Sequence, residues 1–98
     1  ENEEVYEKRL PDGTYEFSGM ALLDDAIEFM GLPPIEDAQE DTVGGYVFAL
    51  LARKPEINDV VETTSCTFEI LNVDGFRVKK VKATPKFKTA EEFAEPEL

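Results

Sequence analysis

The chain has 98 residues, 42% hydrophobic and 10% aromatic, which is enough for one domain with a modest core and too apolar for a disordered acidic tail. Its net charge of −12 argues against nonspecific nucleic-acid binding and against broad adhesion to an anionic bilayer, because phosphate is repelled over most of the surface. With no histidine and a single cysteine, the chain lacks the commonest general base and excludes both an internal disulfide and a thiolate zinc site of its own. No apolar run approaches the roughly 20 residues that span a membrane, and no cationic-then-apolar leader opens the chain. Glu1 stands where a reading frame would carry methionine, so a fragment of a longer protein is expected.

Taken in order, Glu1–Glu4 is expected to fray. Val5–Leu10 and Thr14–Ser18 flank Pro11-Asp12-Gly13, a type I turn followed by a glycine in the left-handed region, and so form a three-residue hairpin. Tyr15 and Phe17 alternate with Glu16 and Ser18, so the second arm buries one face. Gly19 ends that strand. Ala21–Met30 reads as a helix with Leu22, Leu23, Ala26, Ile27 and Met30 on one stripe, closed by Gly31. Leu32-Pro33-Pro34-Ile35 is extended and stiff, and Glu36–Glu40 is an acidic loop.

Asp41–Pro55 then carries a second amphipathic helix. Asp41 or Thr42 caps it. Val43, Tyr46, Val47, Leu50 and Leu51 form its apolar stripe. Arg53 and Lys54 are expected in its last turn, and Pro55 stops it. Gly44-Gly45 in the first turn costs roughly 1 kcal/mol per glycine relative to alanine, so another demand must favour them. Close backbone approach to a neighbouring strand or helix is the leading explanation, and a bulky residue at Gly45 is expected to unfold the domain. The alternative is a set of bared N–H groups for an anionic ligand.

Glu56–Asp59 reads as a turn, Val60–Glu62 as a short strand and Thr63–Ser65 as a loop. Cys66–Val73, Asp74-Gly75 and Phe76–Ala83 form a hairpin closed by a two-residue type I′ loop. That loop would pair Val73 with Phe76, Leu71 with Val78, Glu69 with Lys80 and Thr67 with Lys82. On the other face it would pair Asn72 with Arg77, Ile70 with Lys79, Phe68 with Val81 and Cys66 with Ala83. The apolar pairs change face halfway, so either both faces are partly covered or the hairpin twists or bulges near Ile70-Leu71. The domain is expected over residues 5–84, with 85–98 a partly disordered extension pinned in places by Phe87 and Phe93. Strands and helices are grouped in the order β-β-α-α-β-β-β, which predicts an α+β fold with a small, largely antiparallel sheet and two helices.

Charge is unevenly spread. Residues 1–41 hold 13 acidic and 2 basic side chains, whereas residues 77–88 hold Arg77, Lys79, Lys80, Lys82, Lys86 and Lys88 and no acid. Internal complementarity is the first expectation, and a docking surface for an acidic partner or a phosphate the second. Asp24, Asp25 and Glu28 share a helix face, and Glu36, Asp37, Glu40 and Asp41 a loop, but no calcium-loop pattern organises them, so no metal site is assigned. Cys66, alone in a strand, reads as a small core residue. Ser18 and Ser65 have no partner base, no phosphate-loop or dinucleotide fingerprint is present, and no catalytic residue is assigned.

Gly13 in a strand turn, Gly19 before an apolar helix, Asp41-Thr42-x-Gly44-Gly45, Pro55, Asp59-x-Val61, Phe68-Glu69-Ile70-Leu71 and Asp74-Gly75 before a basic strand together resemble the transporter-associated domain of the CorC/HlyC family. The likeness covers roughly Tyr6 to Ala83. The family usually shows glycine where this chain has Asn58, and often where it has Ala52. The resemblance implies a fold related to part of certain FAD-binding domains. It also implies a position after a membrane-spanning region and paired nucleotide-binding CBS modules, on the cytoplasmic side of the cell membrane. The parents are known as magnesium and cobalt efflux-associated proteins or as hemolysins. The function expected from the resemblance is a non-catalytic regulatory domain that contacts its own CBS region or, as a homodimer, a second copy. It would bind no nucleic acid and insert nothing into the membrane. The alternative is a binding module for FAD or an adenine nucleotide, with Thr42, Gly44, Gly45, Lys80 and Lys82 as candidate contacts. Flavin-binding homologues carry additional subdomains that this short chain lacks, which weighs against a flavin site.

Overall fold

A computed structural model of the chain describes residues 5–86. Within them run β1 (Glu7–Arg9), β2 (Tyr15–Ser18), α1 (Leu23–Phe29), α2 (Val43–Leu51), β3 (Val60–Glu62), β4 (Cys66–Asp74) and β5 (Arg77–Pro85). The expected α+β order is therefore observed. The expectations for Glu1–Glu4, Phe87 and Phe93 fall outside the described residues.

The strands form one antiparallel sheet in the order β1-β2-β5-β4-β3. One face is apolar. Tyr15, Phe17, Phe68, Ile70, Val81 and Ala83 are buried there together with Leu23, Ala26 and Ile27 of α1 and Val43 and Val47 of α2. The other face carries a row of cross-strand partners, Lys8–Glu16–Lys82–Glu69, in which the sign alternates at every step. Opposite charges facing each other across strands contribute about 0.2–1 kcal/mol per pair. The basic strand, expected to face the acidic N-terminal half, meets that half through Glu16, opposite Lys82 and 3.6 Å from Lys80 Nζ, whereas Glu69 opposite Lys82 and Glu62, 3.3 Å from Lys86 Nζ, lie beyond it.

The first hairpin closes as its sequence predicts. Leu10 N–H donates to the Thr14 carbonyl at 2.8 Å and Gly13 N–H to the Leu10 carbonyl at 3.1 Å. Asp12 accepts from the Thr14 hydroxyl at 2.6 Å and the Thr14 N–H at 3.0 Å, and these bonds hold its carboxyl below the usual range.

The second hairpin departs from its expected register by two residues. Asp74 pairs with Arg77, Val73 with Val78, Ile70 with Val81, Glu69 with Lys82 and Phe68 with Ala83. The loop is Gly75-Phe76, with positive φ at Gly75 (64°) and not at Phe76. That is the type II′ pattern, which wants glycine first, rather than type I′, which would need positive φ at both central residues. The predicted Glu69–Lys80 pair is replaced by Glu69 opposite Lys82, and Lys80 instead reaches Glu16. The register shifts between Ile70 and Asn72 and again before Val73, leaving Leu71 and Lys79 as extra residues. An extra residue in each strand reverses the alternation. Val78 thus joins Val81 inside, and Val73 packs against the same core as Ile70. The change of face read from the sequence is resolved by the bulges, without covering both faces.

α1 is shorter than expected. Leu22 is its N-cap and is 53% exposed rather than part of the buried stripe. Its end is a Schellman motif, with Leu32 N–H donating to the Ile27 carbonyl at 3.1 Å and Gly31 N–H to the Glu28 carbonyl at 2.9 Å. α2 is capped by Thr42 and stops at Ala52, which takes the left-handed conformation (φ 61°) and donates to the Phe48 carbonyl at 2.9 Å. Arg53 and Lys54 therefore lie beyond the helix rather than in its last turn. Leu50, placed on the buried stripe by its spacing, is exposed instead.

Candidate functional site

The start of α2 is a junction of three backbone segments. Thr42 Oγ1 accepts from Gly45 N–H at 3.1 Å, Gly44 N–H donates to the Gly19 carbonyl at 2.8 Å, and Val43 N–H donates to the Ala21 carbonyl at 2.9 Å. Gly19 N–H in turn donates to the Lys79 carbonyl of β5 at 2.8 Å. A Cβ on Gly44 would stand 2.7 Å from the Val78 carbonyl oxygen and 2.9 Å from that of Gly19, so only glycine fits. Gly45 differs. Its nearest neighbour would be the Thr42 hydroxyl at 3.1 Å, a side-chain atom, and the residue is partly exposed. Close packing thus belongs to Gly44, and the expectation that a bulky residue at Gly45 unfolds the domain passes to Gly44. The first three N–H groups of α2 are all engaged inside the protein.

Beside this junction lies a groove of about 570 Å³ lined by Met20, Phe48, Phe76 and Val78, with Asp74 and Arg77 at its edge. Phe48 and Phe76 meet edge to face with ring centroids 6.5 Å apart. Lys54 Nζ sits 5.7 Å from the Phe76 centroid. Met20 is 45% and Phe76 64% exposed. The sequence reading missed these residues, although Phe48 lies off the apolar stripe of α2 and so had to point away from the core.

Of the candidate binding residues, Thr42, Gly44 and Gly45 line this groove. Lys80 and Lys82 do not join them. They flank the buried Val81 and so point to the uncovered face of the sheet, where Glu16 and Glu69 neighbour them. The five residues therefore form two separate places.

The remaining chemistry-bearing groups are engaged or dispersed. Cys66 is buried, and burial pushes its thiol above the ordinary value, so it is a poor nucleophile in the folded chain. Ser18 Oγ accepts from Met20 N–H at 3.1 Å. Among the described residues no three acidic or cysteine side chains gather where they could hold a metal ion. Arg53 clamps Asp59 through two bonds of 2.9 and 3.1 Å, and Glu56 N–H also donates to Asp59 at 2.8 Å. The Arg53 contact, with the Glu56 bond second, holds the Asp59 carboxyl below the usual range. The clamp closes the α2–β3 loop around Asn58, whose φ of 80° matches the conformation a glycine would adopt there. No helix among the described residues is long and apolar enough to cross a membrane.

The model of the CorC_HlyC transporter associated domain matches residues 8–86. Hemolysin C of Brachyspira hyodysenteriae is 37% identical over 82 residues, covering 84% of this chain and 30% of that protein, so the chain spans under a third of that relative's length. The transporter associated domain of a CBS domain protein from Porphyromonas gingivalis superimposes with a TM-score of 0.71 at 25% identity, over 81% of this chain and 95% of that one. A region of Neisseria meningitidis described as associated with a Mg2+ and Co2+ transporter (CorC) superimposes with a TM-score of 0.72 at 20% identity, over 81% and 96%.

Proposed function

Because this chain belongs to the CorC_HlyC transporter associated domain family, we propose that it is the regulatory, non-catalytic domain of a larger divalent-cation transporter-like membrane protein. It acts on the cytoplasmic side by contacting the CBS modules of its parent. The observation that carries this reading is the family match over residues 8–86, supported by the Porphyromonas relative, whose parent is a CBS domain protein. The cation class of this reading follows the description of the Neisseria region, named for a Mg2+ and Co2+ transporter.

The geometry agrees with a contact role in one specific respect. The exposed apolar side chains Met20, Phe48 and Phe76 cluster beside a rigid backbone junction, and a fixed apolar surface is what one protein module offers another.

The test is removal of the domain from the full-length parent in proteoliposomes, with magnesium and cobalt flux followed across a range of nucleotide concentration. The expected result is preserved flux with an altered nucleotide response. An unchanged response would end the regulatory reading, and loss of all flux with intact protein would move the domain into the transport step itself.

A further inference from the structure

A second groove, of about 740 Å³, lies between α1 and the segment 32–36. Ile27 and Leu32, both buried, form its floor, and half-buried Ile35 forms a wall. Its charged lining residues are Asp24, Glu28 and Glu36, all exposed. Asp24 and Glu28 stand at i and i+4 on one helix edge, where like charges repel. Among the described residues no cation pairs with any of the three. None is near in sequence either, since the chain from Leu10 to Ala52 holds nine acids and no base.

The groove is also preformed. The Schellman bond from Leu32 N–H to the Ile27 carbonyl fixes one end of the wall, and Pro33-Pro34 restricts the backbone that follows. Little ordering cost is then left for a ligand to meet. The groove beside Phe48 is lined by charges of both signs, Asp74 and Arg77, with Lys54 over the Phe76 ring, so no uniform rim of one sign selects a partner there. In the α1 groove charge does select. An apolar floor under three carboxylates that pair with no cation among the described residues matches a lysine- or arginine-bearing segment, whose alkyl stems lie on apolar surface while the charged heads meet the rim.

We propose that the α1 groove docks a cationic amphipathic protein segment. One apolar side chain enters above Ile27 and Leu32, and flanking Lys or Arg side chains meet Asp24, Glu28 and Glu36. This goes beyond the regulatory reading and is tested without the parent protein. The probes are a synthetic Leu/Lys amphipathic peptide and a Ser/Lys peptide of equal length and charge. Each is titrated into the isotope-labelled 98-residue chain, with amide shifts followed by NMR. The Leu/Lys peptide binds at least about tenfold more tightly than the Ser/Lys peptide, with shifts centred on residues 24–36. Glu28→Gln with Glu36→Gln lowers that affinity about tenfold and leaves the spectrum otherwise folded. Added salt weakens binding, because the rim charges are exposed. Equal affinity for the two peptides would overturn the proposal, as would shifts centred on Phe48 and Phe76. So would magnesium chloride saturating the same amides at equal ionic strength, which would make the rim a cation site.

Discussion

The two ends of α2 are held by different means. Its start is locked by backbone against backbone, with Gly44 pressed between the carbonyls of Gly19 and Val78. Its end is held by a left-handed alanine and an exposed Arg53–Asp59 clamp. The difference teaches where this small domain tolerates change. A buried backbone contact cannot relax by rotating a side chain, so any added atom is paid for by moving a strand. An exposed side-chain clamp can be loosened while the strands stay in place.

The sharpest way to break this contrast is Gly44→Ala. The new methyl meets two carbonyl oxygens that belong to the sheet junction, so stability should fall by about 3 kcal/mol or more in urea unfolding, the upper end for overpacking. A near-neutral Gly44→Ala would mean that the junction is softer than its geometry. Thr42→Ala removes the cap for Gly45 N–H and should cost about 1 kcal/mol in the same measurement. Gly45→Ala is the internal control. The helix gains from losing a glycine, by up to about 1 kcal/mol, while the methyl presses the Thr42 hydroxyl, so the net change should stay within about 1 kcal/mol of the parent chain. A loss as large as that of Gly44→Ala would erase the distinction between the two glycines.

At the other end, Ala52→Gly should raise stability by roughly 0.5 kcal/mol. Relief of the left-handed alanine, about 1–2 kcal/mol, is partly offset by the greater freedom of glycine in the unfolded chain. A drop in thermal midpoint would show that the alanine methyl packs usefully. The clamp itself is exposed, so its effect is best seen in pH. The Asp59 carboxyl is held low in the folded chain, mainly by Arg53. Its contribution is therefore complete above the ordinary carboxylate range, near about pH 4, and is lost as pH falls through the lower folded value. Urea midpoints of the parent chain should fall more steeply than those of Asp59→Asn below about pH 4. Parallel curves would show that the clamp does not bias folding.

Family, class and element order were legible in the sequence because they rest on local signals. Helix and strand periods, Pro11-Asp12-Gly13, Gly31 and the Thr42 cap each act within a few residues. Even the trouble in the second hairpin was visible as apolar pairs that changed face near Ile70-Leu71. The register was not, because the choice between Asp74-Gly75 and Gly75-Phe76 as the loop is a small local difference that the whole sheet settles. Neighbouring β2 must bring Tyr15 and Phe17 opposite Ala83 and Val81, and bulges at Leu71 and Lys79 let Val78 turn inward beside Val81. The same limit explains the candidate site. The resemblance put forward the Gly44-Gly45 turn and Lys80 and Lys82 as binding candidates, yet burying Val81 sends those lysines to the far face of the sheet. The sequence alone determined that two glycines open the central helix. Tertiary structure alone decided that Gly44 touches the sheet and Gly45 does not, because a close approach between backbones distant in sequence has no local signature.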